Sequence, residues 1–136
     1  MKNNLLALLP CLFLISCDSN TESPSQALSL STKGTSPEKV VKQWQSYMDK
    51  NRLEQAKTIG TERTILFLED IQTFFKNQEI DSLTTKSEFR RLKCDSKGEK
   101  ATCYTSIKDL QYDEIYNDTF YLKKQKGKWL IDLKED

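Results

Sequence analysis

The sequence predicts an α+β domain in which N-terminal helices pack on a curved, four-stranded antiparallel sheet. Apolar residues repeat with the 3.6-residue period of a helix between residues 36 and 76. From Leu83 onward the repeat shortens to two, and the residues become typical of strands. Helices that precede all of the strands indicate α+β order.

The first helix is predicted to begin at Ser36. The stretch Ser36-Pro37-Glu38 combines a capping side chain, a first-turn proline and an acidic residue near the positive end of the helix. At about 100° per residue, the apolar side chains that follow lie within one arc. They are Val40, Val41, Trp44, Tyr47 and Met48. We therefore expect one face of this helix to lie in the core.

Two further helices are predicted before the strands. A short helix follows Asn51, turns Leu53 and Ala56 inward and ends by Gly60, because a residue without a side chain suits a helix stop. A longer helix runs from about residue 62 to residue 76. We interpret its apolar arc as core rather than as a cofactor site. The arc contains Phe67, Leu68, Ile71, Phe74 and Phe75.

Four strands are predicted in the second half of the chain. They cover residues 85–94, 101–111, 119–124 and 128–133, and a loop over residues 112–118 separates the middle two. With a turn at Lys126-Gly127, the last two strands align their apolar residues on one side. The aligned residues are Phe120, Leu122, Trp129, Ile131 and Leu133. An accidental register would scatter these side chains over both faces.

The first hairpin carries two cysteines. With a turn centred on Gly98-Glu99, Cys94 and Cys103 face each other within disulfide reach. A metal site is disfavoured because two thiolates without a histidine are too few ligands, and the spacing is not that of a Cys-x-x-Cys redox site. Phe89 and Leu92 fall on opposite faces of this hairpin, which indicates a bulge or a sheet used on both sides.

The N-terminus has the order of a secretory signal, a short charged start followed by an apolar run. Eleven residues of helix, from Leu5 to Ile15, reach roughly 16 Å against a hydrocarbon core of about 30 Å, so a membrane span is disfavoured. Leu14-Ile15-Ser16-Cys17 is similar to a bacterial lipobox, which predicts a signal peptide over residues 1–16 and a lipid anchor on Cys17. The alternative is a plain signal peptide with an incidental cysteine.

The predicted mature chain begins with a flexible tether. Residues 17–35 are rich in Ser and Thr, and residues 36–136 form the folded domain. The expected address is the bacterial cell envelope, with the domain anchored to a membrane and facing the periplasm or the exterior. In such an oxidising compartment, the two cysteines left after the N-terminal region indicate a disulfide.

Charge and composition exclude several classes of function. The 136-residue chain has 21 basic and 20 acidic residues, and Lys2 is the only charged residue of the predicted leader, so the mature side chains are balanced. This balance argues against nucleic acid as a partner. The chain contains no histidine, which removes the commonest metal ligand and the commonest general base. No cofactor and no metal site are predicted.

The domain resembles the nuclear transport factor 2-like superfamily of cone-shaped domains, and within it bacterial lipoprotein domains of unknown function. The resemblance covers residues 36–133 and is carried by the helix start, the inward residues of the first two helices and the closing Gly-x-Trp hairpin. These residues are Ser36-Pro37-Glu38, Val40-Val41, Trp44, Leu53, Ala56 and Gly127-Lys128-Trp129-Leu130-Ile131. Asn51-Arg52 departs from the Gly-Asp that is usual in the family. The resemblance implies either an isomerase or dehydratase, or a non-enzymatic binding module.

We therefore carry two hypotheses of function. The favoured one is a non-catalytic module, tethered by Cys17, that binds an envelope protein or a small apolar ligand. The alternative is a small pocket enzyme that uses Asp109 or Asp113 as a base beside Tyr112, with Tyr104 and Tyr116 as further phenol donors. Dimerisation through the sheet face, which the resemblance implies for some relatives, stays open.

Overall fold

A computed structural model of the chain describes residues 34–80 and 83–134. The predicted leader, Cys17 and most of the predicted tether lie outside these described residues. Three helices precede four strands. The helices are α1 (Pro37–Asp49), α2 (Leu53–Lys57) and α3 (Glu62–Asn77), and the strands are β1 (Ser87–Lys97), β2 (Lys100–Asp109), β3 (Glu114–Gln125) and β4 (Lys128–Ile131). The α+β class is confirmed.

The start of α1 follows the predicted capping chemistry. Ser36 is the N-cap of α1, and its side chain accepts a hydrogen bond from the Lys39 backbone N–H at 3.5 Å. Val40, Val41 and Trp44 are buried on the predicted face. In α2, Leu53 and Ala56 are buried as expected. Within the described residues, no helix is long and apolar enough to cross a bilayer.

Gly60 ends the α2 region for a reason that the sequence did not indicate. A Cβ atom added at Gly60 would lie 2.8 Å from the Thr64 Cγ2 atom, so only glycine allows this approach. Gly60 also pairs with Ile131 in an isolated parallel bridge. The connection between α2 and α3 therefore lies against the last strand.

The sheet is antiparallel throughout, with the strand order β1-β2-β3-β4. Cys94 lies opposite Cys103, and Leu122 lies opposite Ile131, as both hairpin predictions required. The register shifts between Phe89 and Arg91, so of the two predicted explanations, a bulge or a sheet used on both sides, the structure shows the bulge.

The third strand differs most from its prediction. It begins at Glu114 rather than at residue 119, so most of the predicted loop over residues 112–118 is strand. The polar residues Asn117 and Asp118 resemble a turn in sequence, but β3 pairs with β2 without a break over residues 114–123. Complete pairing of the backbone overrides their weak strand propensity. The fourth strand ends earlier than predicted, at Ile131.

The core lies between the helices and one face of the sheet, which we call the inner face. Buried side chains of β2, β3 and β4 alternate along their strands and form one core cluster with buried side chains of all three helices. They are Ala101, Cys103, Ile107, Phe120, Leu122, Trp129 and Ile131. The opposite face, the outer face, points away from the helices.

Candidate functional site

The predicted catalytic residues lie in the turn between β2 and β3. Asp109 ends β2, and its Oδ1 atom accepts hydrogen bonds from the backbone N–H groups of Gln111 at 2.7 Å and Tyr112 at 3.1 Å. The carboxylate thus holds the turn in the manner usual for aspartate at such positions.

Asp113 and Tyr112 are exposed in the same turn. Asp113 has a positive φ of 58°, and an ion pair with Lys108 lowers the pKa of its carboxyl group through hydrogen bonding and charge attraction. Tyr112 is 67% exposed, and its hydroxyl accepts a hydrogen bond from the Gln111 side chain at 3.3 Å. A general base needs a raised carboxyl pKa near a proton to be removed. The geometry of this turn does not assemble an aspartate and a tyrosine into a pocket.

The space between the helices and the inner face is filled by side chains. Trp44 and Trp129 are 5% and 8% exposed, and Phe75 packs against the core that contains them. In the described part of the chain, no buried side-chain nitrogen or oxygen lacks a hydrogen-bond partner. The centre of the domain therefore offers packing rather than a pocket with free polar groups.

A polar cluster that sequence reasoning missed joins the end of α1 to the start of β1. The Asp49 Oδ1 atom accepts hydrogen bonds from the side chains of Gln45 at 3.0 Å, Thr85 at 2.8 Å and Ser87 at 2.8 Å. Its Oδ2 atom accepts from the Ser87 backbone N–H at 3.0 Å. No local spacing signals this cluster, because Asp49 and Ser87 are far apart in the chain.

Tyr116 lies beside this cluster. Partial burial raises the pKa of its phenol, a hydrogen bond with Ser87 opposes that change, and the charges of Asp49, Asp109 and Asp118 add to it. A cavity of about 390 Å³ adjoins, lined among others by Asp49, Ser87 and Phe89. A phenol that keeps its proton can donate a hydrogen bond but cannot act as a base.

The carboxylate of Asp49 accepts hydrogen bonds from four donors, so we interpret the cluster as a clamp that joins the end of α1 to the start of β1.

Cys94 and Cys103 lie directly opposite on β1 and β2, with Cα atoms 3.9 Å apart and their sulfur atoms bonded as a disulfide. The predicted pair at disulfide distance is therefore confirmed. In the described ranges, no group of three or more Cys, His, Asp or Glu side chains is placed to hold a metal ion.

The apolar arc of α3 is only partly core, which corrects the sequence interpretation. Thr64 and Leu68 are buried, but Phe67 and Phe74 are 48% and 57% exposed. The Thr64 hydroxyl donates to the Ile131 carbonyl at 2.8 Å and accepts from the Leu133 N–H at 3.1 Å. These bonds place the Thr64 side of α3 inward, and the phenylalanines remain outside.

The exposed side of α3 forms an apolar surface that we call the α3 ridge, consisting of Phe67, Ile71 and Phe74. Residues spaced by three and four positions share a helix face, so these side chains are neighbours. Ile71 is half-buried at the base of the ridge. Arg63 and Asp70 flank it on the solvent side of the helix. An apolar centre with a charged rim is the usual composition of a protein-protein interface.

Comparison with known proteins gives a fold and no family. No protein-family model matches the sequence, and no curated protein sequence is similar to it. Among solved structures, the chain is similar to one from Campylobacter jejuni that is described as an NTF2-like transpeptidase. The two share 14% sequence identity with a TM-score of 0.51, over 74% of this chain and 100% of that chain. The chain therefore has an NTF2-like fold.

Proposed function

We propose that this protein is a lipid-anchored component of the bacterial cell envelope whose folded domain is a non-catalytic interaction module. The lipobox-like stretch ending at Cys17 supports the anchor. The cysteine pair supports an oxidising compartment, since a disulfide between Cys94 and Cys103 persists there.

The observation that carries the interaction role is the exposure of the α3 ridge. Phe67 and Phe74 leave large apolar areas in water on a helix that packs only along its other side. The ridge is one face of a helix, and such a face suits a groove on another protein better than a small apolar molecule. We therefore propose an envelope protein with a complementary apolar surface as its partner.

We also propose that the sheet curves into the cone of the nuclear transport factor 2-like superfamily. The register shift between Phe89 and Arg91 supports this shape, because a bulge bends and twists its strand. A curved sheet would hold α1 over the inner face and leave α3 at the rim, where its ridge is accessible.

The proposed anchor is tested by the intact mass of the protein purified from its bacterial host. We expect loss of residues 1–16 and a mass increase on Cys17 that corresponds to acyl chains, and we expect Cys17→Ser to abolish both. A mature protein that starts at another residue, or an unmodified Cys17, would contradict the anchor without affecting the ridge.

The proposed interaction is tested by photo-crosslinking in living cells with the probe amino acid at position 67. Position 73 on the same helix is the matched control, because Thr73 is exposed but points away from the ridge. We expect one discrete adduct from position 67 that Phe74→Ala removes, and none from position 73. Equal adducts at both positions, or none, would rule out the ridge as the interface. An adduct of twice the chain mass would identify a second copy as the occupant.

A further inference from the structure

The outer face of the sheet carries a second feature, at the edge where β4 ends. A cavity of about 400 Å³ lies there between β2, β3, the chain after β4 and the first turn of α3. Its lining includes four cationic side chains, one aromatic ring and one carboxylate. They belong to Arg63, Lys100, Lys123, Lys134, Tyr121 and Asp132. We call this cavity the outer-face pocket.

The cations of the outer-face pocket outnumber its one described acid, Asp132, by four to one. Within the described residues, none of the four forms an ion pair, whereas Lys57 and Lys108 both do. The Asp132 carboxylate, whose Oδ1 atom accepts a hydrogen bond from the Thr61 hydroxyl at 2.8 Å, supplies one negative charge. Four positive charges and one negative charge leave the lining net positive, and a bound anion would lower the repulsion among the cations.

The strand register adds an independent observation. Lys100 lies directly opposite Lys97 on one side and directly opposite Lys123 on the other. Like charges directly opposite each other destabilise a sheet. Three lysines therefore form a row across the outer face that leads into the pocket, and a bound anion would reduce the repulsion along this row.

The contacts inside the pocket fit a compact anion with more than one charge. The Lys134 ammonium lies 3.7 Å from the centroid of the Tyr121 ring, so a cation–π contact forms one wall of the pocket. Arg63 donates to the Leu133 carbonyl at 3.5 Å, which points its guanidinium toward the chain after β4. A guanidinium and several ammonium groups together are the usual partners of phosphate oxygens.

We propose that the outer-face pocket binds a phosphate-bearing ligand, either a free phosphate compound or the headgroup of an anionic lipid. The pocket has the volume of a small-molecule site. This assignment shares Arg63 with the rim of the α3 ridge but uses neither Phe67 nor Phe74, so the two proposals can be tested separately.

The test is a titration of the purified full-length protein at low ionic strength, followed by the amide resonances of the outer face. The probes are inorganic pyrophosphate, glycerol 3-phosphate, dihexanoyl phosphatidylglycerol below its micelle concentration and the zwitterionic dihexanoyl phosphatidylcholine. We expect saturable shifts at Lys100, Tyr121 and Lys123 with at least one anionic probe, and weaker binding as salt is raised. Pyrophosphate binding identifies a free phosphate ligand, and binding of phosphatidylglycerol alone identifies a lipid headgroup.

Two double lysine variants test whether the anionic probes bind in the outer-face pocket. Lys100→Gln with Lys123→Gln should weaken binding about tenfold or more. Lys39→Gln with Lys42→Gln removes the same charge from the exposed side of α1 and should leave affinity unchanged. The proposal is overturned if no anionic probe binds, if phosphatidylcholine binds as well as phosphatidylglycerol, or if both double variants behave alike.

Discussion

The inner face of the sheet and the α3 ridge carry similar aromatic side chains in different surroundings. Phe120 on the inner face is 6% exposed, whereas Phe74 on the ridge is 57% exposed. The difference lies in the neighbouring elements, because Phe120 belongs to one buried cluster with side chains of α1 and α2, whereas α3 packs mainly on α2 and on the end of β4. An apolar side chain thus stabilises the fold only where another element covers it, and an uncovered one is available to a partner.

The largest expected difference in stability is between the same substitution, phenylalanine to alanine, on the inner face and on the α3 ridge. Phe120→Ala should lower the free energy of unfolding by about 3–5 kcal/mol, since it leaves a cavity among buried neighbours. Phe74→Ala should change it by less than about 0.5 kcal/mol, because the ring is mostly in water. Urea denaturation of both variants measures the difference. Equal losses would show that the ridge belongs to the core after all.

The next largest expected effect concerns the disulfide between Cys94 and Cys103 and its contribution to the stability of the sheet. Cys94→Ala with Cys103→Ala should lower the free energy of unfolding by roughly 2–3 kcal/mol, because the bond restricts the unfolded chain. Thermal denaturation with and without reductant measures the same quantity in the unchanged protein. Wild type and double variant should coincide once reductant is present, and a remaining gap would mean that side-chain packing rather than the bond accounts for the loss.

Thr64 determines which side of α3 is covered. Thr64→Val removes a buried donor to the Ile131 carbonyl and the acceptor of the Leu133 N–H, and should cost about 1–2 kcal/mol. The exposed Thr73 donates to the Glu69 carbonyl, and Thr73→Val serves as the control with little expected change. If Thr64→Val proved neutral in chemical denaturation, the hydroxyl would not be what orients the helix.

The smallest expected effect concerns the turn between β2 and β3. The ion pair with Lys108 lowers the pKa of Asp113, so its contribution to stability is present above the usual aspartate pKa and is lost as pH falls through the lowered value. Asp113 is largely exposed, and Asp113→Asn should therefore leave stability at pH 7 nearly unchanged and slightly flatten its decline below about pH 4. A large loss at neutral pH would show that this turn does more than connect two strands.

Much of the sheet could be predicted from the sequence because its constraints are local. The turns at Gly98 and Gly127 set both hairpin registers, and both glycines have positive φ values. The length of β3 could not be predicted, since Asn117 and Asp118 are polar and only their pairing with β2 makes them strand.

Long-range contacts account for what the sequence did not reveal. The helical period places Phe67 and Phe74 on an apolar arc, but it does not indicate how much of that arc a neighbouring element covers. The Asp49 clamp and the outer-face pocket join residues that are distant in the chain. Asp109 was identified as a catalytic candidate by residue type, and the structure shows that its carboxylate holds a turn.

The most direct measurement of the central claim is the affinity of the protein for the partner that crosslinks at position 67. Dissociation constants would be compared for the wild type, for Phe67→Ala with Phe74→Ala, and for Leu66→Ala, whose side chain is as exposed as Phe74 but lies off the ridge. We predict a loss of about tenfold or more for the double variant and no change for Leu66→Ala. Equal affinities for all three proteins would contradict the assignment of the α3 ridge as the interaction surface.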